Sequence, residues 1–310
     1  MLQYLYIHFF ILHITLISER IFPMNIALSP RTAVLLLALL ISARAAGYLF
    51  SKFCFVELGP LTVLAYRCLL ACLVLLPFMA GRLRRMTAGD VRAGLIIGAL
   101  FFLTMAAELI GLVTTDTSVA SILENTAIVM VPLLTAMFAR RLPDGRALVC
   151  SLLALGGVVC MSWTGAGLSL SFGEWLLLLA ALFYAMSIVA TAYLAPSSEP
   201  ITVGFLQVLT MGVLALAAAF CFESPSVPTM ALTYECLLYL AVVSSAFGLT
   251  LQPLAQSYCS AETAGILCGL NPLVATVLGI TAAGEAFGML DAAGLVLVLG
   301  AIVYYGQKTA

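Results

Sequence analysis

The chain has 310 residues, of which 64% are hydrophobic and only 9% carry a charged side chain. A soluble domain has roughly 45–50% apolar and about 25% charged residues, so this composition excludes an ordinary water-soluble protein and indicates a chain solvated by lipid. The net charge of −1 at neutral pH provides no basic face, and no nucleic-acid partner is expected.

Residues 1–30 form an N-terminal segment that precedes the regular hydrophobic stretches. Residues 2–17 are mostly apolar but shorter than the ~20 residues that a spanning helix requires. No basic residue precedes them, as one would in a signal peptide. Met24 stands directly before a more conventional beginning, so we expect Met24 to be the natural start.

Ten hydrophobic segments follow, each close to the ~20 residues of a helix that crosses a bilayer. Polar or turn-forming stretches separate them, and the break near Gly284-Glu285 is the least distinct. We therefore predict an all-α membrane protein with ten transmembrane helices. They lie near residues 33–51, 60–80, 93–113, 118–139, 147–163, 174–194, 201–222, 235–253, 261–283 and 288–306.

Basic residues collect in connections that a ten-helix topology places on one side. They lie before helix 1, between helices 2 and 3, between helices 4 and 5, and after helix 10. Positively charged loops face the cytoplasm, so we predict a multi-pass protein of the cytoplasmic (inner or plasma) membrane with both termini inside. The residues are Arg20, Arg31, Arg82, Arg84, Arg85, Arg92, Arg140, Arg141, Arg146 and Lys308.

The second half of the chain indicates an inverted copy of the first. Residues 162–307 contain no Lys or Arg, as expected if a five-helix unit leaves its successor inverted. Pro60-Leu61-Thr62-Val63 also recurs as Pro200-Ile201-Thr202-Val203. We predict two inverted five-helix repeats, residues 31–163 and 172–307. Such halves can open a central site to each side in turn, which favours a transporter.

Charged side chains inside predicted spans usually face a protein interior or a water-filled cavity. The helical rise places Arg44 near the middle of helix 1, at the depth where carriers bind their substrates. A buried guanidinium stays charged and can donate two parallel hydrogen bonds to a carboxylate or phosphate. Two interpretations stay open: Arg44 binds such an anion, or Glu108 or Glu124 neutralises it.

Other polar, aromatic and proline residues of the spans complete the set of candidates. Glu108 and Glu124 are also candidate proton carriers, because a buried carboxyl group can exchange a proton near neutral pH, so coupling to protons or another ion stays open. For Arg67 a structural ion pair with a glutamate is favoured, and Pro132 and Pro272 are expected to act in conformational change. The candidate substrate-binding residues are Arg44, Glu108, Glu124, Asn125, Gln207, Asn271, Tyr66 and Tyr184.

Several loosely conserved motifs occur in an order that resembles a known family. They are Lys52, Gly59-Pro60 and Arg67, followed by Asn271-Pro272 and Gly284-Glu285. Over residues 31–307 the chain is similar to the EamA-type, ten-helix members of the drug/metabolite transporter superfamily. The resemblance implies a carrier of a small molecule, in a superfamily whose members move amino acids, sugars, nucleotide derivatives and drugs.

Three residues depart from the family pattern. Arg44 stands where a tryptophan is usual, Arg141 replaces an acidic residue after helix 4, and Pro132 lies one turn later than the repeat offset predicts. The resemblance to the family survives these changes, but the substrate is not carried over from it.

We predict a secondary transporter that exports amino acids or related compounds by alternating access. The alternatives are uptake or exchange of a sugar or nucleotide derivative, and a passive channel or membrane interaction protein. No enzyme is expected, because the only histidines are His8 and His13, which leaves no zinc-protease helix or Ser-His pair in the body of the chain. We expect no cofactor or metal, and a lipid bilayer and a small-molecule substrate as partners, with a monomer or homodimer both open.

Overall fold

The computed structural model describes residues 28–138, 140, 145–161, 163–164, 167–168, 170–282 and 284–306. Met24, Arg141 and Lys308 lie outside these ranges. A short hairpin of β1 (Trp163–Thr164) and β2 (Gly167–Leu168) accompanies the helices. The α-helices are α1 (Pro30–Ala45), α2 (Gly47–Cys54), α3 (Pro60–Leu83), α4 (Ala88–Leu112), α5 (Thr117–Asn125), α6 (Ala127–Phe138), α7 (Gly145–Met161), α8 (Phe172–Leu194), α9 (Pro200–Phe222), α10 (Ala231–Tyr239), α11 (Gln252–Gln256), α12 (Ala261–Leu267), α13 (Leu270–Ala282) and α14 (Met289–Gly306).

Eight helical stretches among the described residues are long and apolar enough to cross a membrane. The predicted all-helical, multi-pass membrane protein is therefore confirmed. In the places of predicted helices 5 and 10, α7 and α14 fall short of that measure within the described residues, so ten spans and their inverted arrangement stay predictions. The eight stretches are Pro30–Cys54, Pro60–Leu83, Ala88–Leu112, Thr117–Phe138, Phe172–Ser197, Pro200–Phe222, Ala231–Gln256 and Thr263–Ala282.

Three spans are interrupted near their middle. The breaks lie at Ala46 between α1 and α2, at Thr126 between α5 and α6, and at residues 268–269 between α12 and α13. Pro272 is the third residue of α13, in the first turn, where the missing N–H of proline is tolerated. Pro132 lies inside α6 rather than at the break. Irregular backbone at membrane depth is tolerated where it is buried in protein or lines a cavity.

The span Ala231–Gln256 contains an unusual π-helical segment, Leu240–Leu249. In a π-helix each backbone N–H bonds to the carbonyl five residues earlier. Such turns are rare in proteins, and those that occur often lie at functional sites. The Thr250 N–H donates to the Ser245 carbonyl oxygen at 3.3 Å, which is the π-type bond at the end of the segment. This span therefore has a locally widened backbone at the depth of the bundle core.

Helix α4 packs between α8 and α9, and α9 also packs along α3, while α7 pairs with α14. The contact of α4 with α9 depends on Gly98. A Cβ atom at Gly98 would lie 2.7 Å from Thr210 Cβ and 2.8 Å from the Gln207 carbonyl oxygen. The two helices can approach this closely only because Gly98 has no side chain, as in other small-residue helix contacts of membranes.

We expect Gly98→Ala to destabilise the bundle, because the added methyl group meets the backbone of α9 and forces the helices apart. Overpacking of this kind costs about 1–3 kcal/mol. The measurement is thermal unfolding of the purified protein in detergent. Gly81→Ala is the matched control, because no atom of the described residues lies within 4 Å of the added methyl group. Equal melting temperatures for the two variants would contradict the packing argument.

Candidate functional site

A polar cavity lies in the interior of the bundle, at the level of the helix breaks. Two arginines and two glutamates face it, although charged residues are scarce in this chain. The space between the side chains has room for about one water molecule. The lining residues are Arg44, Gly47, Tyr48, Arg67, Met105, Glu108, Glu124, Ser244 and Asn271.

Arg44 projects from the last turn of α1, beside the break at Ala46. Its Nη1 donates to Gln252 Oε1 at 2.6 Å, and its guanidinium carbon lies 5.8 Å from the centre of the Phe101 ring. The second distance is within the range of a cation–π interaction. Arg44 is therefore held by an uncharged amide and an aromatic face.

Arg67 is buried on α3 and contacts the π-helical segment. Its Nε donates to Ser245 Oγ at 3.0 Å and its Nη2 to Ser244 Oγ at 2.5 Å. In the described part of the chain, no carboxylate lies within 4 Å of either cavity arginine. The ion pair expected for Arg67 is therefore not formed in this conformation, because hydroxyl groups occupy its donors.

The acidic side of the cavity contains Glu108 and Glu124, which are both buried. Glu124 Oε2 accepts a hydrogen bond from the Tyr48 hydroxyl. Glu108 Oε2 and Asn271 Oδ1 are buried and have no hydrogen-bond partner among the described residues. A buried polar group without a partner costs about 1–3 kcal/mol, so these atoms mark a place where a polar ligand would gain contacts.

Four of the eight predicted substrate-binding residues line this cavity: Arg44, Glu108, Glu124 and Asn271. The other four do not. Tyr184 lies behind the Phe101 ring and bonds through its hydroxyl to Cys268 Sγ at 3.2 Å. Asn125 Nδ2 donates to the Ser121 carbonyl oxygen at 2.6 Å. Gln207 is buried, and both of its amide atoms lack a hydrogen-bond partner among the described residues. The Tyr66 hydroxyl donates to the Ser226 carbonyl oxygen at 3.0 Å, beside a separate apolar groove.

Tyr48 and Ser244 line the cavity but are absent from the predicted set. Tyr48 follows Arg44 by four residues, and this spacing places two residues on the same helix face. That signal was available in the sequence. Ser244 faces Arg67 from the π-helical segment, whose register departs from the α-helical period, so periodicity could not identify it.

A second group of polar contacts closes one end of the bundle, which we call the clamp end. Here three glutamates, Glu57, Glu223 and Glu285, accept hydrogen bonds from the start of a helix in the other half of the chain. The first N–H groups of a helix have no internal partner and carry the positive end of its dipole. A carboxylate at this position satisfies these groups and links the two halves.

The distances show how direct these clamps are. Glu223 accepts from the Leu61 and Thr62 N–H groups at 2.8 and 2.9 Å, at the start of α3. Glu285 accepts from the Thr117 and Ser118 N–H groups at 2.7 and 3.0 Å, at the start of α5. Glu223 follows α9 and Glu285 follows α13, and both helices belong to the second half of the chain. Each of these two clamps therefore joins the second half to the first.

The third clamp runs in the opposite direction, from the first half to the second. Glu57 Oε1 accepts from the Thr229 and Met230 N–H groups at 3.0 and 3.1 Å, just before α10. Lys52 adds an ionic contact at the same end, with Nζ 3.5 Å from Asp116 Oδ1 and 3.4 Å from Glu285 Oε1.

The opposite end of the bundle has a smaller network. Arg82 forms an ion pair with Glu199, and the Glu199 backbone N–H donates to Asp90 Oδ1 at 2.7 Å. Among the described residues, different polar networks therefore join the helices at the two ends of the bundle.

Hydrogen bonding keeps two of the clamp carboxylates, those of Glu57 and Glu285, ionised. Bonds from Thr229 and Thr233 lower the pKa of Glu57 from 4.5 to about 2. Burial of Glu285 opposes ionisation, but the bonds from Thr117 and Ser118 outweigh it and lower the pKa of this carboxyl group as well. Both groups therefore carry a negative charge throughout the physiological pH range.

Comparisons with known proteins point in one direction. The model of the EamA-like transporter family matches residues 31–163 and 171–306. An uncharacterized transporter of Archaeoglobus fulgidus is 25% identical over 248 residues, which are 80% of this chain and 77% of that protein. A solved crystal structure has a TM-score of 0.66 and 14% identity, covering 89% of this chain and 96% of that one. At that identity, the similarity shows the fold alone.

We expect the Glu57 clamp to stabilise the protein above about pH 4.5 and to lose this effect in acid. The folded-state pKa lies below the unfolded value, so the stabilisation is complete above the unfolded pKa and declines as the pH falls toward 2. The gap in melting temperature between the natural protein and Glu57→Gln should be constant from about pH 6 to 8 and narrow below about pH 4.5.

The matched control for this measurement is Glu235→Gln, which removes an exposed carboxylate from α10. It should melt like the natural protein at every pH. A gap for Glu57→Gln that persists unchanged to about pH 3 would contradict the clamp assignment.

Proposed function

The chain belongs to the EamA-like transporter family, and from this premise we propose that it is a secondary transporter that exports amino acids or related compounds by alternating access. The multi-pass helical fold and the membrane location are consistent with that role. The cargo and the direction of transport are the parts that we propose.

The observation that carries the proposal is the charge distribution in the polar cavity. Arg44 and Arg67 supply guanidinium groups, while Glu108 and Glu124 supply carboxyl groups in the same small space. An amino acid carries one carboxylate and one ammonium group, and each would find a partner of opposite charge there once the cavity, which holds about one water molecule in this conformation, widens to admit it. Intramembrane charges that line a cavity are typical of substrate sites.

The alternatives fit this cavity less well. An uncharged sugar would bring no opposite charge to the two guanidinium or the two carboxyl groups, and a buried charge without an opposite charge is expensive. A nucleotide derivative would bring several negative charges close to Glu108 and Glu124. A passive channel requires a continuous path, whereas the cavity has room for about one water molecule and one end is closed by clamps.

We also infer the arrangement in the membrane. Two inverted halves, residues 31–163 and 172–307, would each contribute five spans if α7 and α14 cross the bilayer. The basic residues Arg82, Arg84 and Arg85 lie in and just after the last turn of α3, at the end opposite the clamps, which supports a cytoplasmic location for that end. The clamp end would then face outward in the cytoplasmic membrane, with both termini inside.

In this arrangement the clamps act as the outer gate. Because each clamp joins the two halves, the cavity can open outward only when the helix starts at α3, α5 and α10 separate from their glutamates. A ligand changes the balance of two states only by the difference in its affinity for them. Substrate would therefore have to bind more tightly to the state in which the clamps are released than to the closed state. Protonation of Glu108 or Glu124 is a second way to drive the change, and proton coupling belongs to the same proposal.

We expect Arg44→Ala to weaken saturable exchange of carboxylate-bearing amino acids. A hydrogen bond to a charged group contributes about 1.5–3 kcal/mol, so the half-saturating concentration should rise roughly tenfold or more. The measurement is counterflow of labelled amino acids and organic anions in proteoliposomes. Arg92→Ala is the control, because Arg92 is exposed at the start of α4.

Each result of this assay has a distinct meaning. Exchange that Arg44→Ala weakens selectively for carboxylates supports the amino-acid site. Exchange unaffected by the variant keeps the carrier but moves the anion site away from Arg44. Fluxes that do not saturate with substrate would instead favour the channel alternative.

We expect Glu285→Gln to loosen the clamp end. Replacing the carboxylate removes the charge that faces the positive end of α5 and the Lys52 ammonium. Hydrogen exchange measured by mass spectrometry should accelerate in peptides covering residues 113–125 and stay unchanged in residues 82–92. Glu235→Gln again serves as control. Equal exchange in the natural protein and Glu285→Gln would show that the clamp does not limit opening.

A further inference from the structure

The π-helical segment Leu240–Leu249 contacts both arginines of the polar cavity. Ser244 and Ser245 accept the hydrogen bonds of Arg67. The aliphatic part of Arg44 lies against Gly248, where a Cβ atom would be only 2.6 Å from Arg44 Cγ. Gln252, three residues beyond the segment, accepts the bond from Arg44 Nη1. We call Ser244, Ser245, Gly248 and Gln252 the arginine seat.

The acceptors of the arginine seat share one property, which is that none of them is charged. Hydroxyl and amide oxygens hold a guanidinium in position through hydrogen bonds, but they bring no negative charge of their own to it. A carboxylate adds Coulomb attraction that a hydroxyl or amide oxygen lacks, and it can accept two parallel bonds from one guanidinium. An entering anion can therefore displace a seat oxygen with a net gain, whereas it would have to compete with a carboxylate that was already paired.

The seat depends on the widened backbone of the span Ala231–Gln256. The π-helical segment directs the neighbouring hydroxyls of Ser244 and Ser245 to the same guanidinium. Its far end is fixed against α9, because the Thr250 carbonyl oxygen lies 2.0 Å from the position of a Cβ atom at Gly204. The short side chains of Ser244 and Ser245 therefore present their hydroxyls from a backbone whose end packs against α9.

We infer that Ser245 and Gln252 are specificity-determining positioning residues, which hold Arg67 and Arg44 toward the cavity through neutral acceptors, so that the anionic group of the cargo can bond to both guanidinium groups. Neither residue is among those that line the cavity, so both act through the arginines. This inference rests on the proposed function, because it assigns the way in which the transporter's cavity selects a carboxylate.

The decisive variant is Gln252→Glu. It keeps the length of the side chain and an oxygen beside Arg44, but it replaces a neutral acceptor with a carboxylate. A purely structural seat would tolerate this change or gain stability from the ion pair. The arginine seat proposed here would bind a carboxylate ligand more weakly, because the new side-chain carboxylate neutralises Arg44 and competes with the cargo.

The probe is sodium propionate, a simple carboxylate, compared with equal sodium chloride. Binding is measured by the rise in melting temperature of the detergent-solubilised protein, since a ligand that binds the folded state stabilises it by mass action. The natural protein should be stabilised by propionate, and Gln252→Glu should need at least about tenfold more propionate for the same shift. Gln256→Glu, the same substitution one turn later in α11, is the matched control.

A second pair of variants tests Arg67. Ser245→Ala should weaken propionate binding, and Ser245→Thr should restore it because threonine keeps the hydroxyl group. Three results would overturn the inference. Gln252→Glu could bind propionate as tightly as the natural protein does, or Ser245→Thr could bind it as weakly as Ser245→Ala. Propionate could also leave the melting temperature of the natural protein unchanged.

Counterflow measured on the same preparations separates this inference from the proposed function. Propionate binding that follows the expected order in the variants, without counterflow of any amino acid, supports the arginine seat and contradicts amino-acid transport. Saturable amino-acid counterflow that Gln252→Glu leaves unchanged supports the transporter and contradicts the seat.

Discussion

Four ionisable groups buried in one small cavity are the constraint on which the rest of this structure depends. A charge at the centre of a bilayer is costly, and a buried charge without a partner is more costly still. Here Arg44 and Arg67 bond to neutral oxygens, and Glu124 bonds to a tyrosine hydroxyl. The surrounding helices must supply these polar partners, and they do so where their own regular geometry is broken.

The helix breaks and the π-helical segment follow from this need. The break at Ala46 separates the turn that carries Arg44 from the turn that carries Tyr48, and both side chains still reach the cavity. The clamps at the end of the bundle solve a related problem, because the first N–H groups of α3, α5 and α10 would otherwise lack partners. Using glutamates from the opposite half for this purpose connects helix stability to the closure of one end.

Much of the fold could be predicted from local features. Pro60 and Pro200 mark the first residues of α3 and α9, as expected for proline at the first position of a helix. The low charge and long apolar runs predicted a multi-pass helical protein, and the family motifs predicted its relationship. Of the site, Arg44, Glu108, Glu124 and Asn271 were predictable, because polar residues are rare in such spans and therefore conspicuous. Arg67 was also identified, but its serine partners were not.

The sequence by itself determined the class of protein, the approximate helices and the charged residues that belong in the interior, because hydrophobicity and helix length are properties of short segments. Only the tertiary structure decided which of these residues meet. Gln207 and Tyr66 have the right chemistry but do not line the cavity, and Ser244, Ser245 and Gln252 become important only beside the arginines. The π-helical segment and the clamps depend on packing between segments more than 150 residues apart, and no local pattern encodes that proximity.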